Sequence, residues 1–178
     1  MKFYDLKSFY IVTDIKEHQE NKQRFLDLID IMPLSNMITD VENISKTDWN
    51  LPKEQERKYL EEFYNMITPY MNVMTEKLKC KNWKIQSGWF QQYGKNDVHN
   101  WHVHEGVNYA NVYFLNLPDE SVKTQLFDVK EGKIMNEIDV REGQLLTFPA
   151  HILHRSPPNM SNNKKTIISF NTDFHNEY

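Results

Sequence analysis

The feature that most constrains this chain is a change of hydrophobic period near residue 82. After Asn82, six segments are short, rich in β-branched and aromatic residues, and bounded by turn residues: WKIQSGWFQQY (83–93), NYANVYFLNL (108–117), TQLFDV (124–129), GKIMNEIDV (132–140), GQLLTF (143–148) and KTIISFNTDF (165–174). Many short strands with few helices between them predict an antiparallel sandwich or barrel rather than an alternating βαβ fold.

Before that point the period is helical. Phe25, Leu28, Ile29 and Met32 recur at helical spacing within 17–32, and Pro33 ends the pattern. Residues 52–79 carry the longest such stripe, with Leu60, Phe63, Ile67, Met71, Met74 and Leu78 at steps of three and four. Pro52 suits the first turn of that helix, and Pro69 is expected to kink or split it, because it lacks an amide N–H. The expected organisation is one domain over 1–178, with helical support in 1–82 and a jelly-roll core in 83–174.

Composition narrows the class. The 178 residues suffice for one sizeable core, and 39% hydrophobic content is incompatible with a disordered chain. A net charge of -4 with no long basic run argues against a dedicated nucleic-acid surface. The single cysteine, Cys80, excludes an intrachain disulfide or a zinc finger and reads as a packed or surface thiol. No basic-then-apolar leader and no membrane-length apolar run is seen, so a soluble, cytoplasmic protein is expected.

Five of the seven histidines stand at 99, 102, 104, 151 and 154, all in the strand-rich part. On a strand, residues i and i+2 project to one face, so His102 and His104 of NWHVHEG can offer two imidazoles to one ion. FPAHILHRSPPN offers a third in His151 or His154. Neutral imidazole suits Fe(II), Zn, Ni or Cu. The competing reading is a set of solvated loop histidines.

Taken in order, WHVHEG, VYFLNLP, EGQLLTFPAHILHRSPPN and KKTIISFN resemble the double-stranded β-helix core of the Fe(II)- and 2-oxoglutarate-dependent oxygenases, over about residues 83–174. The likeness is to the group with an H-x-H motif and a G-x-L-x-x-F-P block. It implies His102 and His154 as metal ligands and Lys165 as the cation that holds the far carboxylate of 2-oxoglutarate. Such an enzyme couples decarboxylation of 2-oxoglutarate to oxidation of a substrate C–H bond, here in a peptide, a nucleobase or a small metabolite.

The chain departs from the family where H-x-D or H-x-E is usual. His104 occupies the carboxylate position, so either three histidines bind the metal or the chain bends and Glu105 swings in. Lysine replaces the commoner arginine, and Lys164 competes with Lys165 for the role. Tyr93, Asn111 and Tyr113 flank the histidines as candidate donors to 2-oxoglutarate, against plain core roles. Alternation points Arg155 away from the metal, toward a surface salt bridge. Trp89 and Trp101 read as packing residues, with Trp101 also a candidate for the substrate mouth. Two other functions compete: a cupin-type dioxygenase with three-histidine iron and no 2-oxoglutarate, and a metal-free jelly-roll binding module.

Overall fold

The helical and strand signals fall on either side of residue 82 in the computed structural model, which describes residues 1–2, 8–135 and 138–176. In chain order the elements are β1 (Ile11–Asp14), α1 (His18–Asp30), β2 (Met37–Ile38), β3 (Asn43–Ile44), β4 (Lys46–Thr47), α2 (Lys58–Lys77), β5 (Asn82–Tyr93), β6 (His99–His102), β7 (Tyr109–Asn116), β8 (Gln125–Asp128), β9 (Lys133–Met135), β10 (Gln144–Pro149), β11 (His154–Ser156) and β12 (Lys165–His175). A six-stranded major sheet runs β1-β10-β7-β12-β5-β4, and a four-stranded minor sheet runs β6-β11-β8-β9. Every pairing in both is antiparallel.

Alternation along the major-sheet strands divides the interior in two. Phe90, Tyr113, Leu115, Leu145, Ile168 and Phe170 pack against the helices with Phe25, Ile29, Leu60, Phe63, Ile67 and Met71. Tyr93, Val112, Phe114, Leu146, Phe148 and Ile167 belong to a second cluster, shared with Leu126 of β8 and with Ile152. Phe63 is the hub of the first, with ring centroids 5.1 Å from Tyr113 and 5.6 Å from Phe170. Full burial of each such side chain contributes roughly 1.5–3 kcal/mol, which is how an amphipathic stripe becomes a fixed helix position.

Four expectations about elements are corrected. The second helix starts at Lys58, not near Pro52. Arg57 gathers the carbonyls of Asp48, Leu51, Pro52 and Gln55, so this stretch winds into turns instead. Pro69 does not split α2, which runs unbroken to Lys77. Its missing N–H orphans the carbonyl of Asn65, and that residue faces solvent, where water satisfies it. The strand expected over 132–140 shortens to β9, while Ile138 and Val140 are buried without strand pairing; Asn136 and Glu137 lie outside the described residues. Residues 1–82 are also not purely helical: β1 and β4 close the two edges of the major sheet. No helix among the described residues is long and apolar enough to cross a membrane.

Candidate metal centre

The site forms where the two sheets face each other, and it follows from two strand registers. In the minor sheet His154 of β11 is the cross-strand partner of His102 of β6, so their side chains leave the sheet side by side. β6 ends at His102, but the chain stays near enough to extended for His104 to join them. The His104 backbone N–H donates to the Ala150 carbonyl at 2.9 Å, which pins the step after the strand. One ring nitrogen from each of His102, His104 and His154 then lies within 4.8 Å of the others. His151 is exposed and takes no part, and Glu105 is exposed as well.

Each ring of the trio has its Nδ1 against an oxygen acceptor. His102 Nδ1 donates to the Asn100 carbonyl at 2.7 Å, His154 Nδ1 to the Ile152 carbonyl at 2.9 Å, and His104 Nδ1 to Asn171 Oδ1 at 2.5 Å. An acceptor at Nδ1 fixes the proton there and leaves Nε2 with its lone pair, the form that ligates a divalent metal. Asn171 is itself oriented, because its Nδ2 donates to Ser87 Oγ at 3.1 Å. Burial lowers the proton affinity of all three rings, furthest at His154, which falls to about 2. The donor set fits Fe(II) and its common substitutes, three neutral nitrogens with no carboxylate.

The major sheet supplies the opposite wall. Trp89, Gln91 and Tyr93 of β5 line the cavity at every second residue, as do Ile167 and Ser169 of β12. Lys165 opens the same face of β12 and is completely buried. Its Nζ donates to the Val122 carbonyl at 2.6 Å and to Ser156 Oγ at 2.8 Å, and it lies 5.0 Å from the centre of the Tyr93 ring. Among the described residues no carboxylate pairs with it, and burial pulls its pKa down to about 7. The Tyr93 hydroxyl is buried with no hydrogen-bond partner of good geometry, although Ser156 stands near it. A buried ammonium and an unpaired hydroxyl side by side suit a ligand carboxylate. Lys164 is exposed, and its carbonyl accepts from Asn116 Nδ2 at 2.6 Å.

Other expected residues fall differently. Tyr113 turns to the helical face of β7, where its hydroxyl meets His18 Nδ1 at 2.7 Å, so it offers nothing to the cavity. Asn111 reaches the cavity wall, but its amide is fully engaged: Nδ2 donates to the Phe170 carbonyl and Thr172 Oγ1, and Oδ1 accepts from Thr147 Oγ1. Arg155 makes no ion pair among the described residues; it stacks 4.6 Å over Trp101 and donates to Gln125 Oε1, its cross-strand partner on β8. Trp101 packs on Phe127, while buried Trp89 borders the cavity beside His104. Sequence reasoning missed Asn171, Ser156 and His99. Counting by twos reaches Asn171 from Lys165 and Ser156 from His154; His99 has no comparable signal.

No protein-family model and no curated protein matches the sequence. Solved structures match it in shape. An oxidoreductase of the 2OG-Fe(II) oxygenase family from Burkholderia pseudomallei superposes with a TM-score of 0.70 at 10% identity, covering 95% of this chain and 88% of that one. HygX from Streptomyces hygroscopicus, with nickel and 2-oxoglutarate bound, gives 0.65 at 9% identity, covering 93% and 83%. A Trichoplax adhaerens prolyl hydroxylase in complex with a hypoxia inducible factor peptide fragment gives 0.64 at 15% identity, covering 92% and 83%. The fold is therefore the double-stranded β-helix expected from the four sequence blocks.

Proposed function

We propose that this chain is an Fe(II)- and 2-oxoglutarate-dependent oxygenase that oxidises a C–H bond of its substrate. One observation carries the reading. Three histidines with bare Nε2 atoms line a cavity whose wall residues Tyr93 and Ser156 adjoin Lys165, a buried cation that has no carboxylate partner among the described residues. A metal site alone needs no such lysine. A dicarboxylate that chelates a metal with one end and needs a cation for the other explains both groups.

In this reading His102, His104 and His154 would hold Fe(II) through their Nε2 atoms. The bound iron and 2-oxoglutarate supply the oxidising chemistry by decarboxylation of the oxo acid. The protein does the rest. Lys165 and Tyr93 fix the far carboxylate, and the Ser156 hydroxyl steadies the ammonium. Ile167 and Val112 give the wall an apolar stretch that limits water. Trp89, Gln91 and His99 line the remaining wall, where a substrate would approach. Replacing a carboxylate ligand by His104 leaves the site one unit more positive, which favours anionic co-ligands and weakens retention of Fe(II).

The test is formation of succinate from 2-oxoglutarate by the Fe(II) protein under air, with peptides as the first substrate class tried. Slow turnover without substrate, abolished in His102→Ala, is expected. If the Fe(II) form neither binds nor consumes 2-oxoglutarate yet takes up oxygen with another substrate, the three-histidine dioxygenase replaces this reading.

A further inference from the structure

The three ligands are not equally secured by the sheets. His154 sits on β11, a middle strand of the minor sheet, with the Phe148 ring packed edge-to-face on it at a centroid distance of 4.7 Å. His104 is tied by Asn171 to the longest pairing of the major sheet. His102 ends β6, a four-residue strand at the edge of the minor sheet. Its only sheet neighbour is β11, and the ladder between them is irregular between His154 and Ser156. The ligand with the least support is therefore the one that needs help from elsewhere.

We infer that His99 and Glu42 form a brace that positions the metal ligand His102, an inference that rests on the metal-centre reading above. The His99 ring lies on the His102 ring with centroids 3.9 Å apart and planes 24° from parallel. His99 is oriented in turn: Gln91 Nε2 donates to its Nδ1 at 3.2 Å, which leaves the proton on Nε2, directed at Glu42 Oε2 3.9 Å away. The same Glu42 oxygen accepts the Asn100 backbone N–H at 3.0 Å. The Asn100 carbonyl is the acceptor that fixes the tautomer of His102. One carboxylate thus secures the peptide that orients the ligand and faces the ring that covers it. Glu42 precedes β3, whose Asn43 exchanges both backbone hydrogen bonds with Val98, at 3.0 and 2.8 Å. The β2–β3 hairpin therefore clamps the strand that carries His102.

His99 lies outside the cluster of three and is a positioning residue, not a ligand. Its ring blocks rotation of the His102 imidazole about χ2, which would exchange Nδ1 with a carbon and break the bond to Asn100. Loss of a group that orients a metal-bound histidine weakens metal binding by about 10–100-fold.

The experiment compares wild type with His99→Ala, His99→Phe and Glu42→Ala. Co(II) affinity is measured by chelator competition and the Co(II) visible bands are recorded. The His102 tautomer is read in the metal-free protein from its 15N shifts. His99→Ala and Glu42→Ala should each weaken Co(II) by about 10-fold or more, perturb the bands and bring the second tautomer of His102 into view. His99→Phe keeps the stacked ring and should restore affinity to within about 3-fold of wild type, a rescue that general destabilisation would not produce. Wild-type affinity with a single Nδ1-protonated His102 in His99→Ala overturns the brace, and so does a loss in His99→Phe as large as in His99→Ala. If wild type binds no Co(II), the metal-centre reading fails separately, and a single tautomer surviving in metal-free His99→Ala still overturns the brace. Should His99→Ala not fold, Glu42→Ala and His99→Phe decide by the same criteria.

Discussion

Replacing Lys165 by methionine tests the ligand cradle from two directions. The ammonium is fully buried among Val122, Ser156 and Tyr93, with no carboxylate among the described residues to offset its lost hydration. Its pKa falls from 10.5 to about 7, so between those values the folded chain binds fewer protons than the unfolded one. Stability of the ligand-free wild type should then rise with pH from about 7 to about 10, by up to about 5 kcal/mol in total. Below pH 7 the cost of the buried charge is fully present, and there Lys165→Met, which fills a similar volume without charge, should be the more stable protein by about 1–4 kcal/mol. Urea unfolding of both proteins at a series of pH values isolates the effect, because other titrating groups cancel in the difference. With 2-oxoglutarate the order reverses. The variant should bind the Fe(II) form's cosubstrate more weakly by about 2–4 kcal/mol, a factor of about 30 to 1,000. The metal-to-ligand absorption band that 2-oxoglutarate develops under argon reads that affinity. A difference in stability that does not change with pH would refute the buried-charge argument. Equal 2-oxoglutarate affinity would refute the cradle.

Further predictions are independent of that lysine. His104→Asp should still bind a divalent metal, with Asn171 turning its Nδ2 toward the new carboxylate; loss of all binding, measured by calorimetry, would mean that the strand end cannot carry a shorter ligand. Asn171→Ala frees Nδ1 of His104 and should weaken metal binding by about 10–100-fold, as a chelator titration would show. Zinc at 100 times its Kd should stabilise the wild type by about 2.7 kcal/mol, and His154→Ala should abolish that gain in thermal unfolding. Tyr113→Phe removes the bond to His18 and should cost about 1 kcal/mol of stability while leaving the 2-oxoglutarate affinity unchanged, since the hydroxyl faces the helices.

The strand-rich half was legible because its residues obey a period of two that survives tertiary packing. The apolar stripe of α2 was legible for the matching reason: Phe63, Ile67, Met71 and Met74 all reach the core. The H-x-H pair was legible in position although His104 lies beyond the strand, because a hydrogen bond to Ala150 holds the chain near the extended form. Alternation also separates Lys165 from Lys164, but only once β12 is paired with β5 and β7 does it say which side is inside. Tyr113 faces the helices and Asn111 spends its amide within the sheet, because proximity to the histidines in sequence says neither which face of β7 a residue occupies nor what already holds its side chain. β6 and β11, four and three residues long and polar, were too short to be delimited by composition, although the alternation of His102 with His104 and of His154 with Arg155 already treated them as extended. His99 became informative only through its stacking on His102 together with Gln91 and Glu42, which reach it from other segments and which no local pattern places there.

β12 sends Ile168 and Phe170 to the helices while Lys165, Ser169 and Asn171 serve the histidine side. A single inserted residue upstream of Phe170 would exchange the two sets, placing aliphatic groups at the cavity and polar ones in the helical core. Stability and chemistry are thus written in one reading frame along the same eleven residues. A length change there would disturb both at once, whereas a substitution disturbs one face at a time. Change is then left to positions outside that frame, such as the exposed side chains of Trp49 and Val103, which belong to no strand pairing.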